Sequence, residues 1–229
     1  MTDFIVLDVE TTGLDPAVDR VCEVGWCTTS ETAGAYSAGR LVNPGMPISP
    51  GASAVSHLVD ADVVGAPSLD EVVREHYMFD WGIPVAHNAA FDSAFLPMVK
   101  GPWLCTKRMA RRYLPEAPEH SNQLLRYYLK LDVPRDTPPH RAEGDAIVTA
   151  ALLRYLLNGP AKADYERQPI AEFIAQQAEP ILLRTVGFGK HKGKLWAEAP
   201  RDYLQWLERN SQGSDGDTRF TVRRYLEGK

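Results

Sequence analysis

A chain of 229 residues that is 44% hydrophobic and 24% charged has room for one good-sized core plus a small appendage, and its composition excludes extensive disorder. No apolar run approaches the roughly 20 residues that cross a bilayer, and the opening MTDFIVLDVE puts acids where a signal peptide carries basic residues, so a cytoplasmic protein with no membrane partner is expected. The net charge of −5 excludes a uniformly basic nucleic-acid binder, yet residues 1–180 hold 15 basic against 24 acidic side chains whereas residues 181–229 hold 10 against 6, a basic tail on an acidic body.

In chain order, FIVLD at 4–8 reads as a buried strand whose acidic end reaches the surface. Turn signals at Gly13 and Asp15-Pro16 follow, then strands at 21–28 and about 36–42, the last closed by Asn43-Pro44-Gly45. Short connections make this an antiparallel start. Helical spacing marks 69–78, a buried strand fits 83–86 (IPVA), and 88–99 is helical through Phe91, Phe95, Leu96 and Val99. Further helices fit 106–114, 121–131 and 142–157. The sum is an α/β domain with a mixed central sheet flanked by helices. Gly159-Pro160, Pro169 and Pro180 suggest a catalytic domain at 1–165, a linker at 166–180 and a small module at 181–229, with helical patterns near 200–210 and 216–227. Cys22, Cys27 and Cys105 are odd in number and widely spaced, so they read as small core residues and not as a disulfide framework or zinc site.

Four acids fall where local structure can aim them at one point. Asp8 and Glu10 in LDVETTGL share one face of a strand, roughly 6.6 Å apart by the strand rise. Asp92 in HNAAFD (87–92) follows the strand IPVA and shares a helix face with Asn88, four residues earlier. In HRAEGD (140–145), His140 lies in the loop after Pro138-Pro139 and Asp145 in the first turn of the long helix. Each piece alone has an ordinary explanation: solvated strand-end acids, a helix cap, an acid favouring the helix dipole.

In this order and spacing the motifs DVETTGL, HNAAFD and HRAEGD resemble the three signature blocks of the DEDDh (DnaQ-like) 3′-to-5′ exonucleases, the family that includes ribonuclease T, oligoribonuclease and the proofreading subunit of bacterial replicase. The resemblance continues through NPGMPISP, LCTKRMARRYLP and the terminal FGKHKGK, nearly the whole chain. It implies a ribonuclease H-like fold, two divalent ions (Mg²⁺, with Mn²⁺ able to substitute), and release of mononucleotides from a free 3′ end. DNA is the favoured substrate, in repair or DNA-end turnover. A ribonuclease of the same class, or a proofreading or binding subunit of a polymerase, is the alternative. Asp8, Glu10, Asp92 and Asp145 take the metal-ligand roles by this resemblance, and His140 that of general base. The chemistry agrees: carboxylates suit hard divalent cations, two ions about 3.5–4 Å apart clamp attacking and leaving oxygens, and a histidine with an ordinary pKa of about 6.5 suits proton removal from water.

The resemblance also implies that Thr11, Gly13 and Leu14 line the terminal-nucleotide pocket, where Leu14 either stacks on the last base or is a core leucine. His57, in SAVSHLVD, stands where relatives carry a pocket histidine, although the stretch departs from the commoner His-x-Ile-Thr pattern. Asn88 either positions substrate or caps a helix. Lys107, Arg108, Arg111 and Arg112 form either a phosphate track or a solvated helix face. Lys190, Lys192 and Lys194 alternate between glycines; on a strand they would follow a phosphate backbone, and otherwise they form a solvated turn. Tyr203, Trp206 and Leu207 read as the buried face of the module's helix. No catalytic role is assigned to His76, His120 or His191.

Overall fold

β1 (Phe4–Thr11) is the centre of a five-stranded sheet in the computed structural model, which describes residues 3–29, 36–75, 82–210 and 216–228. It pairs antiparallel with β2 (Val21–Thr29) and parallel with β4 (Ile83–Ala86). β3 (Ser37–Leu41) and the two-residue β5 (Leu104–Cys105) complete the order β3-β2-β1-β4-β5, the mixed sheet expected. Alternation divides β1 between two cores. Ile5, Leu7 and Val9 pack with Trp26, Phe95 and Leu96 on one face, while Phe4 and Val6 join Leu152, Leu153 and Leu156 on the other. Asp8 and Glu10 extend this second, even-numbered face.

The long helix α7 (Ala142–Asn158) covers that face and buries most of its length. Its start presses on β2 at Gly25, where a Cβ would come within 2.1 Å of the Ala142 carbonyl carbon; only glycine allows that approach. Preceding helices are α1 (Pro50–Ser56), α2 (Asp60–Val63), α3 (Leu69–Glu75), α4 (Ala89–Phe95), α5 (Thr106–Tyr113) and α6 (Asn122–Tyr128). α1, whose buried residue is Ser56, and the four-residue α2, which buries Val63, carry no apolar stripe for helical spacing to reveal. α4 stops at Phe95, before Val99, because Pro97 drives Leu96 from the helical region (φ −118°, ψ 57°). α6 likewise ends before 131, with Lys130 left-handed at φ 52°. Positions 76–78 of the third expected helix, with His76, lie outside the described residues. The three cysteines are free, Cys22 and Cys27 buried and Cys105 half-buried.

Residues 166–180 do not have the character of a linker. α8 (Lys162–Arg167) and α9 (Ile170–Ala178) fold onto the sheet's α7 side, with Phe173 and Ile174 buried in the same core as Leu152 and Leu156. Beyond Ile181 a separate small core forms from Val186, Trp196, Tyr203, Leu204, Leu207 and Val222, carried partly by α10 (Arg201–Asn210) and α11 (Gly216–Leu226). Trp206 is not part of it: it is 57% exposed and stacks on Tyr203 at 6.2 Å. The lysine-rich stretch is not a strand either. Val186 N–H donates to the Lys194 carbonyl and Gly193 N–H to that of Val186, both at 2.8 Å, so a hairpin closes through a 3-10 turn at Gly189–His191 and Lys190 falls on the turn itself.

The basic face of α5 is mostly internal. Asp217, 1% exposed at the start of α11, accepts from Arg108 Nη1 at 3.0 Å, Arg111 Nη1 at 2.9 Å and Ile181 N–H at 3.1 Å. Arg108 and Arg112 also donate to carbonyls of Gln176, Gln177 and Glu179 at the end of α9, where cations oppose the helix dipole favourably. Arg108 and Arg111 thus tie α11 to α5, and Arg112 ties the end of α9 to it, so these three residues are neither a phosphate track nor a solvated face. Among the described residues no helix is long and apolar enough to cross a membrane.

Candidate active site

The sheet brings the three motifs together at the end of β1. Carboxylate oxygens of Asp8, Glu10 and Asp145 lie within 4.8 Å of one another. Asp92, on α4 and 3% exposed, is near enough that its charge is the strongest of those acting on Asp8. Burial raises every one of the four. Asp8 is held well above the usual carboxylate range by burial, then by Asp92, Asp145, Glu10 and Glu23. Burial, Asp145 and Glu23 push Glu10 up to about 8 against the pull of Arg141. Burial takes Asp92 to about 7, opposed by its own backbone N–H and that of Val9. Asp145 is raised by burial and drawn back by hydrogen bonds from Gln123 and the His140 N–H. Four acids whose charged forms burial disfavours, offering only oxygen, are a donor set fitted to hard divalent cations.

Asp145 is fixed from two sides. One oxygen accepts from Gln123 Nε2 at 2.6 Å, the other from the His140 backbone N–H at 2.9 Å, and Asn122 Nδ2 donates to the Asp145 carbonyl at 3.1 Å. His140 itself is left-handed, φ 56°, with an exposed side chain. Its loop is held by buried Arg126, whose guanidinium donates to the carbonyls of Thr137 (3.0 Å) and Pro134 (2.8 Å). Glu23, opposite Glu10 in the β1–β2 register, grips Arg141 and accepts from Ala142 N–H at 3.0 Å. A fifth acid beside the cluster is thereby paired with a guanidinium while it caps α7.

Beside Glu10 opens a cavity of about 690 Å³, within the usual range for a small-ligand site. Thr11, Gly13, Leu14, Ala52, Val55 and Phe91 are among its lining residues. Leu14 is 84% exposed and not a core leucine. The Thr11 hydroxyl donates to the Gly13 carbonyl at 2.6 Å, so it shapes the turn. Asn88 occupies the N-cap of α4 without a side-chain capping bond, which leaves the capping alternative unrealised. His57 closes α1 in the left-handed region (φ 60°) and is exposed; it is not among the residues that line the cavity, to which α1 contributes Ala52 and Val55 instead. His87 of the HNAAFD motif is buried between Thr106 Oγ1 (3.0 Å) and the His120 carbonyl (2.9 Å), and burial lowers its pKa to about 4. His87 and His120, which bonds the Leu114 carbonyl, are structural.

Sequence reasoning missed Glu23, Arg141, Gln123, Arg126 and Asp19. A signal existed for Glu23: an acid inside the apolar strand VCEVGWC needs a partner. Asp19 is a loop acid whose oxygens accept from Thr12 Oγ1 (3.0 Å) and Asp15 N–H (2.9 Å), and nothing local announces it.

A ribonuclease H-like sheet with acids gathered at the end of its central strand defines a phosphodiester-cleaving nuclease class, and the chain belongs to the ribonuclease T-type exonuclease family, whose model matches residues 5–153. Members of this family use divalent metal ions. The chain is 35% identical to exodeoxyribonuclease 10 of Escherichia coli (strain K12), over 97% of this chain and 98% of that protein, and 31% identical to the DNA polymerase III subunit epsilon of Treponema pallidum (strain Nichols), over 69% and 78%. Among solved structures, exonuclease X in complex with 5′ overhanging duplex DNA is similar with a TM-score of 0.60 at 33% identity, covering 68% of this chain and 91% of that one. The nuclease domain of 3′hExo, a DEDDh family member bound to rAMP, shares the fold at a TM-score of 0.54 and 18% identity, over 69% and 94%.

Proposed function

We propose that the chain is a 3′-to-5′ exodeoxyribonuclease that releases 5′-mononucleotides from single strands and duplex ends of DNA, in repair or in turnover of DNA ends. Asp8, Glu10, Asp92 and Asp145 would hold two Mg²⁺ ions, with Mn²⁺ able to substitute. The observation that carries this reading is the convergence of four raised-pKa carboxylates, one of them tied to the His140 backbone, beside a nucleotide-sized cavity. When bound, the ions supply Lewis-acid charge at the attacking and leaving oxygens.

The chain's own residues do the rest. His140, exposed on the loop that enters α7, takes the proton of the attacking water on its imidazole nitrogen. The His140 N–H bond to Asp145 fixes where that ring begins. Leu14, Val55 and Phe91 offer apolar surface to the terminal base and sugar, holding the scissile bond over the acids. Exodeoxyribonuclease 10, similar along nearly the full length, supports DNA over RNA.

Matched DNA and RNA oligonucleotides labelled at the 5′ end test the reading. Shortening from the 3′ end of DNA with Mg²⁺, stopped by EDTA, is the expected result. Faster turnover of RNA would make the chain a ribonuclease, and cleavage of a circular strand would overturn an exonuclease altogether.

A further inference from the structure

The exonuclease reading leaves a group of exposed cations in the C-terminal module without a task. Arg184 on one leg of the hairpin, Lys190 on its turn, and Lys192 and Lys194 beyond are all exposed. The loop is supported from beneath: Phe188 meets the buried Trp196 ring edge-on at 6.4 Å, His191 packs on Tyr203 at 4.4 Å, and the Lys190 ammonium lies 5.7 Å from the Tyr203 ring centroid. Packing of this kind presents the charges from a defined surface and not from a loose tail.

Between this loop and the catalytic domain runs a cleft of about 290 Å³, with Lys107 and Ser121 on one wall and Arg184, Phe188 and Lys192 on the other. Ser121 immediately precedes Asn122 and Gln123, which bond to Asp145, so one end of the cleft lies a residue away from the catalytic cluster along α6. Two acids face these cations: Glu116 pairs with Arg184, and Glu119 approaches Lys192 at 3.8 Å. Both pairs are about half exposed, and solvent-screened pairs of that kind contribute little, so a phosphate can replace the carboxylate at small cost. The buried Asp217 clamp holds the two walls in register.

We infer that the hairpin loop and the cleft beneath it form a docking track for the DNA strand upstream of the 3′ end, with Lys107, Arg184, Lys190, Lys192 and Lys194 neutralising successive phosphates and Phe188 offering a ring to a base. The inference rests on the exonuclease reading above. Its contribution is affinity for long strands, separate from the chemical step.

The test compares the full-length protein with a Lys190→Ser, Lys192→Ser, Lys194→Ser variant on a long labelled DNA strand and on a trinucleotide too short to reach the module. The expected result is an unchanged kcat on both, an unchanged KM for the trinucleotide, and a KM for the long strand raised about tenfold or more, with its log–log salt slope shallower by about 2 for three lost contacts. Glu119→Gln should act in the opposite sense and lower KM for the long strand. An unaltered KM and salt slope for the long strand overturn the track. If wild type hydrolyses no DNA, the functional reading fails, and anisotropy of the same strand still decides the track: equal binding by wild type and the triple variant overturns it.

Discussion

Glu23 and Arg141, 118 residues apart, meet in a forked ion pair beside the carboxylate cluster, Nη2 to Oε1 at 2.6 Å and Nε to Oε2 at 3.0 Å. Arg141 follows His140 directly and Glu23 faces Glu10 across the β1–β2 ladder. The pair therefore ties the loop that carries the proposed base to the strand beside the proposed metal ligands, and it sets a guanidinium against the crowded carboxylates.

Breaking this pair from either side should have unequal effects. Glu23→Ala removes a cap from α7 and leaves a half-exposed Arg141 that water can solvate, a loss of about 2 kcal/mol. Arg141→Met strands a carboxylate that is 4% exposed next to four others and should destabilise more. Denaturant titration of both single variants and the double variant reads the coupling. If the double variant is as unstable as the two single losses added, the residues do not act as a pair.

A second expectation concerns pH in metal-free protein. The raised folded-state pKa values of Glu10 (about 8) and Asp92 (about 7), with Asp8 and Asp145 shifted the same way, mean that the folded state holds more protons than the unfolded one above the ordinary carboxylate range. Their contribution to stability is complete below that range and is lost as pH rises through the folded values. Buried His87, lowered to about 4, works oppositely, adding stability as pH climbs from about 4 to its ordinary value near 6.5. Above 6.5 only the carboxylates remain, so Tm in EDTA should fall between pH 6.5 and 8, and the Tm gain on adding Mg²⁺ should grow over the same interval. Asp92→Asn should raise the metal-free Tm at pH 8 while abolishing hydrolysis. A metal-free Tm that climbs from pH 6.5 to 8 is incompatible with this account.

His140 can be separated from the ligands by its backbone. His140→Ala should lower kcat about 10²–10⁴-fold, the range for a lost general base, with Mn²⁺ affinity by calorimetry unchanged. Because φ is 56°, His140→Gly should be as inactive yet more stable than His140→Ala, by roughly 1 kcal/mol. Loss of metal affinity in either variant would make the imidazole a ligand.

The parts of this site that were legible in the sequence are those where chemistry and local structure coincide in a few residues. DVE at a strand end and the acid in the first turn of a long apolar helix carry their own placement, since periods of 2 and 3.6 decide which face Asp8, Glu10 and Asp145 share. Illegible were partners joined only by the fold: Glu23 with Arg141, Gln123 with Asp145, Asp217 with Arg108 and Arg111. Each couples residues more than 20 positions apart, and an isolated arginine on an amphipathic helix looks the same whether it faces solvent or a buried carboxylate. The lysine alternation in GKHKGK misled for a related reason. Alternation fixes a face only if the backbone is extended, and glycines at Gly189 (φ 65°) and Gly193 (φ 86°) permit a turn instead.

The last prediction separates the nucleotide-binding loop from the chemistry. Leu14 is almost fully exposed at the edge of the cavity, so Leu14→Ala loses little folding stability, and any effect on DNA must arise through contact with substrate. Gly13 is the opposite case. A Cβ there would lie 2.4–2.6 Å from the Asp19 carboxylate, the group that holds the Thr12 hydroxyl and the Asp15 N–H. Gly13→Ala must therefore displace Asp19 and with it the turn that presents Leu14, whereas Asp19→Ala removes the bonds without the clash. Both should raise KM for DNA about tenfold or more, since one well-placed apolar contact accounts for about 1–3 kcal/mol, while kcat at saturation falls less. The pair Gly13→Ala, Asp19→Ala should recover part of the loss, because shortening Asp19 makes room for the new methyl. Steady-state kinetics of the four variants on one labelled strand checks it. A kcat that collapses with KM intact would place the loop in the chemical step and not in substrate positioning.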